Sequence, residues 1–316
     1  MKYSIVIPTY KHLDKLKECC QSIIDNVNLT DLEVIVVANG CGNDGTKGYV
    51  NKLSKKYPSF KLIWIKEQYG YTKSTNVGMK AATGEYIILL NNDTQILSHS
   101  WPYNAFIDIL ENPFKRDPTV GMTGPMKELC HQANRKFILF FCVMISRKVI
   151  DKIGYLDEIF SPGYGEDTDF CCRAEDAGFK LVQVPAEGDF YYEPLKKVGN
   201  FPLHHIGTVT FSDPENQDAS LIHRNNEILR RMYNSKNYIT PIEETSEPLS
   251  ALKAQMKMDK NHMYDKDGKV PSQELAREQQ KIDYPHIDIS KAQACDGWIS
   301  DEELTWLAQK VKNLGK

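Results

Sequence analysis

Apolar residues along this chain come in short runs that stop abruptly on polar ones. Ile5-Val6-Ile7-Pro8, Leu32 to Val37, Phe60 to Ile65 and Tyr86-Ile87-Ile88-Leu89-Leu90 are each too short for a buried helix. They fit strands covered on both faces. Between them, Leu13, Leu16, Cys20, Ile23, Ile24 and Val27 recur at helical spacing. A turn-rich segment, Cys41 to Thr46, leads into a second helix ending near Tyr57, and Lys73 to Ala82 reads as a third, closed by Gly84. Strands alternating with helices imply a mostly parallel sheet with right-handed crossovers. The polar loops that follow successive strands then gather at one edge, where such sheets bind ligands. Those loops carry Pro8-Thr9-Tyr10, Asn39 and Asn91-Asn92-Asp93.

The second half has another rhythm. Gly121 to Pro125 reads as a short strand and turn, Phe137 to Ser146 as one strand, and Arg147 to Ile153 as a short helix. Phe160 to Gly165 is a glycine-rich loop entering a helix through Glu166-Asp167-Thr168-Asp169 and ending at Gly178. Lys180 to Val184 reads as a strand, Leu203-His204-His205 follows a mixed loop, and Ser220 to Tyr233 has helical spacing. From about Asn234 the chain turns polar and rich in lysine and glutamate. The expected division is a domain over 1–235, a polar linker or extension over 236–295, and an amphipathic helix over 296–316 that starts in a capping box, Ser300 to Glu303.

Composition narrows the class. The 316 residues are 41% hydrophobic and 26% charged, enough for a substantial core. A net charge of −3 argues against a chain that coats nucleic acid. No apolar run reaches the ~20 residues of a membrane span. The start of the chain passes directly into a strand without a leader-like segment. Eight cysteines with no CxxC spacing suit reduced, buried thiols and a cytoplasmic protein, soluble or peripheral to a membrane.

Three polar clusters could carry chemistry: Asn91-Asn92-Asp93, Glu166-Asp167-Thr168-Asp169 and His204-His205. Each has a plain structural explanation, respectively a turn, a complement to a helix dipole, and a surface pair. Together, aspartate and histidine can hold Mn²⁺ or Mg²⁺ with diphosphate oxygens completing the shell. A separate carboxylate can take the proton from an attacking hydroxyl.

These residues, taken in order with Ile5 to Tyr10, Val36 to Gly40, Asn76-Val77-Gly78, Ala82 to Ile87 and Gly163 to Arg173, resemble the family 2 glycosyltransferases with the GT-A fold. The likeness covers about residues 1 to 235. It implies inverting, metal-dependent transfer of a sugar from a nucleoside diphosphate donor, expected to be UDP-linked. The acceptor would be a glycan, a lipid-linked molecule or a protein. On the resemblance, Asp93 and His205 hold the metal, with His204 as second choice for the histidine. Asp167 is the general base, with Glu166 and Asp169 as helpers or acceptor contacts. Pro8, Thr9, Tyr10 and Asn39 line the base and ribose pocket, and Lys73 and Asn76 lie near the diphosphate with Asn91 and Asn92. Residues 121–134, 159–162 and the surroundings of Trp101 would face the acceptor. Two departures stand out: Asn91 where the family's DxD motif begins with aspartate, and Ala38 where relatives commonly carry aspartate.

The departures leave a second reading open, a non-catalytic module that binds nucleotide-sugars or glycans. A nucleotidyltransferase fits less well, because the Pro8-Thr9-Tyr10 loop carries no glycine. In the tail, Asp265, Asp267, Gly268, Val270 and Glu274 match part of an EF-hand loop, but Met263 occupies its first ligand position, so an Asp-Gly turn is expected. The tail could also join a further domain or partner. Asp296 to Leu307 faintly resembles a methyltransferase entry helix, without the glycine motif that methyl transfer needs.

Overall fold

The computed structural model describes residues 1–97, 102–184, 191–192, 201–207 and 219–233. The expectations for Trp101, the polar extension and the final helix lie outside these residues. The chain divides into two compact units, one of 1–130 with 135–217, the other of 131–134 with 218–316. In the second unit the described helix is Ala219–Tyr233, close to the pattern-derived bounds, and Glu227 in it pairs with Arg230 and Arg231.

The first unit begins with alternating elements: β1 (Tyr3–Thr9), α1 (Leu13–Asn26), β2 (Leu32–Asn39), α2 (Thr46–Lys56), β3 (Phe60–Ile65), α3 (Gly70–Ala81) and β4 (Tyr86–Leu90). It continues with β5 (Thr94–Ile96), α4 (Ala105–Arg116), β6 (Val120–Gly124), β7 (Lys127–Cys130), β8 (Arg135–Ile138), β9 (Cys142–Ser146), α5 (Arg147–Ile153) and α6 (Glu166–Asp176). Then come β10 (Lys180–Gln183), β11 (Tyr191–Tyr192) and β12 (Leu203–His205). The main sheet has seven strands in the order β10-β6-β9-β4-β1-β2-β3. The pairs β1–β2, β1–β4, β2–β3 and β6–β10 are parallel, whereas β9 runs antiparallel to both β4 and β6.

Both faces of this sheet are buried, which explains why its strands read as continuous apolar runs. Ile5, Ile7, Val34, Val36, Ile88 and Leu90 point to one side, where Leu16, Cys20 and Ile23 of α1, Val50 of α2 and Phe106 and Leu110 of α4 cover them. Val6, Ile35, Val37, Ile87 and Leu89 point to the other, under Met79 of α3, Val149 of α5 and Phe170 and Ala174 of α6. Gly78 brings α3 close to the sheet: a Cβ there would stand 2.3 Å from Val6 Cγ1.

The structure adds to or differs from the sequence reading at three places. The apolar run from Phe137 to Ser146 is not one strand. It breaks at Leu139 to Phe141 and splits between β8, paired with β7, and β9 in the main sheet. His204 and His205 belong to a strand: β12 pairs antiparallel with β5, with His205 opposite Thr94. The helix expected from Lys73 begins at Gly70. Helix α4 is hidden from the pattern by Pro113 in its last turns, although Phe106, Ile107 and Leu110 keep helical spacing.

The amino-terminal edge of the sheet is closed by one buried carboxylate. Glu33 Oε1 accepts from Ser4 Oγ (2.6 Å), Thr83 N (2.7 Å) and Thr83 Oγ1 (2.8 Å), while its Oε2 takes Lys61 Nζ at 2.6 Å. Burial pushes the Glu33 carboxyl upward, but these donors outweigh it and hold it at about 2. A depressed carboxylate contributes stability that is complete above the unfolded value and is lost as pH falls towards the folded one. Glu33→Ala is therefore expected to cost about 3 kcal/mol at pH 7 by leaving buried donors unpaired. Denaturant titration checks this, and the gap between wild type and variant should narrow between pH 4 and pH 2.

Candidate active site

The carboxyl ends of β1, β2 and β4 lie side by side, so the turns after Pro8, Asn39 and Leu90 share one edge. There the chain turns at Asn91-Asn92-Asp93 and enters β5. Asn91 N donates to Phe141 O (2.9 Å), and Asn92 Nδ2 donates to Thr9 Oγ1 at 2.8 Å, tying this turn to β9's approach and to β1. Asp93 is 6% exposed. Its backbone carbonyl accepts from Ile206 N (3.1 Å), which fixes the end of β12 beside it. Its Oδ1 is buried and receives no hydrogen bond, and His205 Nε2 stands 3.4 Å away. The His205 ring stacks flat on Phe141, with centroids 4.2 Å apart and planes 9° apart.

An oxygen and an imidazole nitrogen converging in a buried pocket form a donor set that fits a Mn²⁺- or Mg²⁺-sized cation, with an orphaned carboxylate oxygen facing it. Among the described residues no group of three His, Cys, Asp or Glu side chains could hold a metal by itself. The ligand shell would need oxygens from a bound molecule.

The second cluster opens α6. Glu166 is buried and its Oε2 has no hydrogen-bond partner. Burial, then the charges of Asp167 and Asp169, lift its carboxyl well above the usual range, against backbone N–H donors. Burial of the Asp167 carboxyl lifts it from 3.8 to about 7, against hydrogen bonds from Thr168, although the residue as a whole keeps some surface. Glu128 on β7 adds like charge to Asp167.

The loop before α6 is latched to the start of α3. Pro162 O accepts from Tyr71 N (2.6 Å) and Thr72 N (3.2 Å). Gly70 has φ +73, and a Cβ there would lie 2.4 Å from Pro162 Cβ, so the approach requires glycine. On its other side, Asn39 Oδ1 accepts from Tyr69 N and Gly70 N, and Asn39 Nδ2 donates to Thr9 O. A chain of contacts thus runs from β1 through β2 and α3 to the acid loop. A second one runs through two consecutive phenylalanines. Phe141 holds Asn91 by its carbonyl and His205 by its ring. Phe140 accepts the Tyr71 hydroxyl at 3.0 Å and sets its ring against Phe170 of α6, one turn beyond Glu166. Nothing in the sequence marked this pair beyond an apolar run.

Several residues expected to touch substrate also hold the scaffold together. Asp169 is fully buried and ion-paired with Arg173 (2.7 Å), which also donates to Ile153 O and Tyr155 O. Asn76 is 2% exposed and joins α3 to Leu156 through both ends of its amide, with Glu158 accepting as well. Asn39 and Asn92 have their amide groups in the bonds given above. Asparagine and aspartate look alike in sequence whether they bind a ligand or a loop. Tyr10, Lys73 and Asn91 are half-buried, and neither Lys73 nor the Asn91 side chain has an ion pair or hydrogen bond among the described residues.

Residues 4–105 match the family model described as glycosyl transferase family 2. Over 99 residues the chain is 31% identical to the GalNAc(5)-diNAcBac-PP-undecaprenol beta-1,3-glucosyltransferase of Campylobacter jejuni, covering 31% of this chain and 31% of that protein. Over 101 residues it is 30% identical to the poly(ribitol-phosphate) beta-glucosyltransferase of Bacillus spizizenii, covering 32% of this chain and 16% of that protein. The matches span between 16% and 31% of the length of the curated relatives. Among solved structures, the mannosyltransferase PcManGT from Pyrobaculum calidifontis, in complex with GDP-Man and Mn²⁺, superposes with a TM-score of 0.51 at 16% identity. That match covers 76% of this chain and 65% of the other, and it shows the fold. Over residues 4–105 the chain is thus similar to the glycosyl transferase family 2 model, and its mostly parallel sheet with flanking helices is the fold of that mannosyltransferase.

Proposed function

We propose that this chain is an inverting glycosyltransferase moving a sugar from a nucleoside diphosphate donor, UDP-linked, to a hydroxyl of an envelope-type glycan or polyol-phosphate acceptor. The observation that carries the reading is the shared wall of the two acidic clusters: Phe141 holds Asp93's turn and His205, and Phe140 holds Tyr71 and the helix of Glu166 and Asp167. The acceptor class rests on the names of the two glucosyltransferases above.

Asp93 and His205 would hold the cation, and when bound it neutralises the diphosphate as that group leaves. Half-buried Lys73 of α3, without an ion pair among the described residues, would meet phosphate charge. Asp167 takes the proton of the acceptor hydroxyl. The oxygen then forms its bond to the anomeric carbon from the side opposite the diphosphate, and the sugar's bond to the diphosphate breaks with its electron pair. That geometry inverts the anomeric centre. A base near pH 7 is half-deprotonated at neutrality and still strong enough to accept the proton. Glu166, whose carboxyl is held more firmly protonated, keeps a second negative charge away from Asp167 and can donate to it or to the acceptor.

Assay of transfer and donor hydrolysis with a panel of UDP- and GDP-sugars plus Mn²⁺ tests the roles. For Asp167→Asn, kcat is expected to fall at least a thousandfold with nucleotide binding intact. For Asp93→Ala, calorimetry should show loss of Mn²⁺-dependent nucleotide binding. Normal turnover in either variant would overturn its assignment. In the wild type, kcat/KM should rise tenfold per pH unit below an apparent pKa near 7 and level off above it, since only the charged base works.

Glu166 gives an independent stability test. A carboxyl raised in the folded state loses stability as pH climbs from the unfolded value through the folded one. Glu166→Gln removes that loss, so its unfolding midpoint should exceed the wild type's at pH 8 and match it at pH 4. An equal difference at both pH values would show that Glu166 is not held protonated.

A further inference from the structure

Between Gly45 and Lys66 the chain carries six lysines, at 47, 52, 55, 56, 61 and 66, and no aspartate, glutamate or arginine. Over the whole chain 42 acids outnumber 39 lysines and arginines, so this stretch reverses the local sign. Four of the six lysines lie on α2, and all four are exposed. At about 100° per residue, Lys47, Asn51, Lys55, Lys52 and Lys56 fall on one half of the helix. Tyr49, Val50 and Leu53 fall on the other half, which packs into the core beneath.

This face works against the helix that carries it. Lys55 and Lys56 suit the last turn, but Lys47 sits in the first, where the helix dipole disfavours positive charge. Lys52 and Lys56 are like charges one turn apart, and α2 holds no acid to offset them. Lys52 and Lys55 have no ion pair among the described residues. Asp44, the acid nearest to α2 in sequence, accepts from Thr46 N (2.8 Å) and Thr46 Oγ1 (3.0 Å) at the helix start. Aromatic rings stand among the lysines. Lys47 Nζ lies 5.2 Å from the ring centroid of Trp64 on β3, Lys56 Nζ 5.0 Å from that of Tyr57, and Lys17 Nζ of α1 5.9 Å from that of Tyr49. All three rings are half-buried.

We propose that the lysine face of α2 is a docking surface for an anionic phospholipid bilayer. Charge complementarity carries the assignment, and three observations choose the bilayer over other polyanions. Recognition of one fixed phosphate or carboxylate favours the planar fork of arginine, and this stretch holds none. Lysine is a point charge on a flexible stem, suited to headgroups that move. Trp64, Tyr57 and Tyr49 are of the ring types that rest at headgroup level. The net charge of −3 opposes a nucleic acid lying along more of the surface. The four lysines of α2 span about 14 Å along the helix axis, so one flat surface can meet them together. Each basic residue held near an anionic leaflet strengthens binding about fivefold.

The test is flotation of the full chain with phosphatidylcholine vesicles, either plain or with about one third phosphatidylglycerol. In about 0.1 M salt, wild type should bind the anionic vesicles and not the plain ones, and about 0.5 M salt should release it. Lys52→Gln with Lys55→Gln should weaken binding about twentyfold, and Lys52→Glu with Lys55→Glu should weaken it further. Thermal unfolding checks that the variants are folded, and the glutamine pair adds no new charge should the glutamate pair disturb α2. Lys148→Glu with Lys152→Glu reverses as much charge on α5, across the sheet, and should stay within about twofold of wild type, because the attraction fades over a Debye length. Equal weakening by the α2 and α5 pairs would mean that net charge binds and not this face, which overturns the proposal. Full binding by both α2 variants overturns it too. So does a wild type that binds neither vesicle, an outcome that reserves the face for an acidic protein. No nucleotide or turnover enters the readout, so the result is independent of the proposed reaction.

Discussion

The close approach of Gly70 to the Pro162 carbonyl is the constraint that gives the site its shape. Helix α3 begins with backbone N–H groups that need acceptors, and the loop before α6 supplies one from its main chain. Two consecutive N–H groups, of Tyr71 and Thr72, converge on that oxygen. The loop that carries the acid pair is thereby set against the segment that Asn39 clips to β1 and β2. No side chain other than hydrogen at residue 70 allows this approach. Two polar edges, separated by about ninety residues of sequence, meet because one helix start and one loop complete each other's hydrogen bonding.

The other half of the arrangement is apolar. Phe140 and Phe141 point their rings to opposite clusters: one into the core under α6, the other onto the His205 imidazole. Alternation in extended chain sends neighbouring side chains to opposite faces. A dipeptide at the entry to β9 can therefore serve two polar clusters at once, with its two carbonyls held by Asn91 and Tyr71. Apolar walls also explain the acid chemistry. A buried carboxylate loses its hydration, and the proton affinity of Asp167 rises accordingly.

Much of the fold was legible because a doubly covered sheet writes its strands as short apolar runs: β1, β2, β3 and β4 stand where those runs stand. Legibility failed where an element's partner is distant in sequence. Among the described residues β5 pairs with β12 and β12 also with β11, all of them two- or three-residue strands, so no local pattern announces them. The same limit applies at the site. Asp93, Glu166 and Asp167 could be picked out as acids at a strand end or helix start. Whether Asn39, Asn76 and Asp169 face a ligand or a loop depends on Tyr69, Leu156 and Arg173, and none of those is near in sequence except Arg173, one helical turn from Asp169.

Carboxylates at the two edges of this sheet make the functional edge identifiable on physical grounds alone. Glu33 and Glu166 are the same residue type, both buried, and burial acts on both in the same direction. At the amino-terminal edge Glu33 is surrounded by donors from Ser4, Lys61 and Thr83, and its proton affinity drops. At the carboxyl-terminal edge Glu166 and Asp93 each keep a buried oxygen without a hydrogen bond, beside further acids and a histidine. Folding alone favours the first arrangement, since every unpaired buried oxygen costs stability. A chain that satisfies one carboxylate fully and leaves two others open, on opposite ends of the same strands, retains the open ones for partners that are not part of the chain. The cation proposed at Asp93 and the hydroxyl proton proposed at the Glu166–Asp167 pair would supply the two missing interactions.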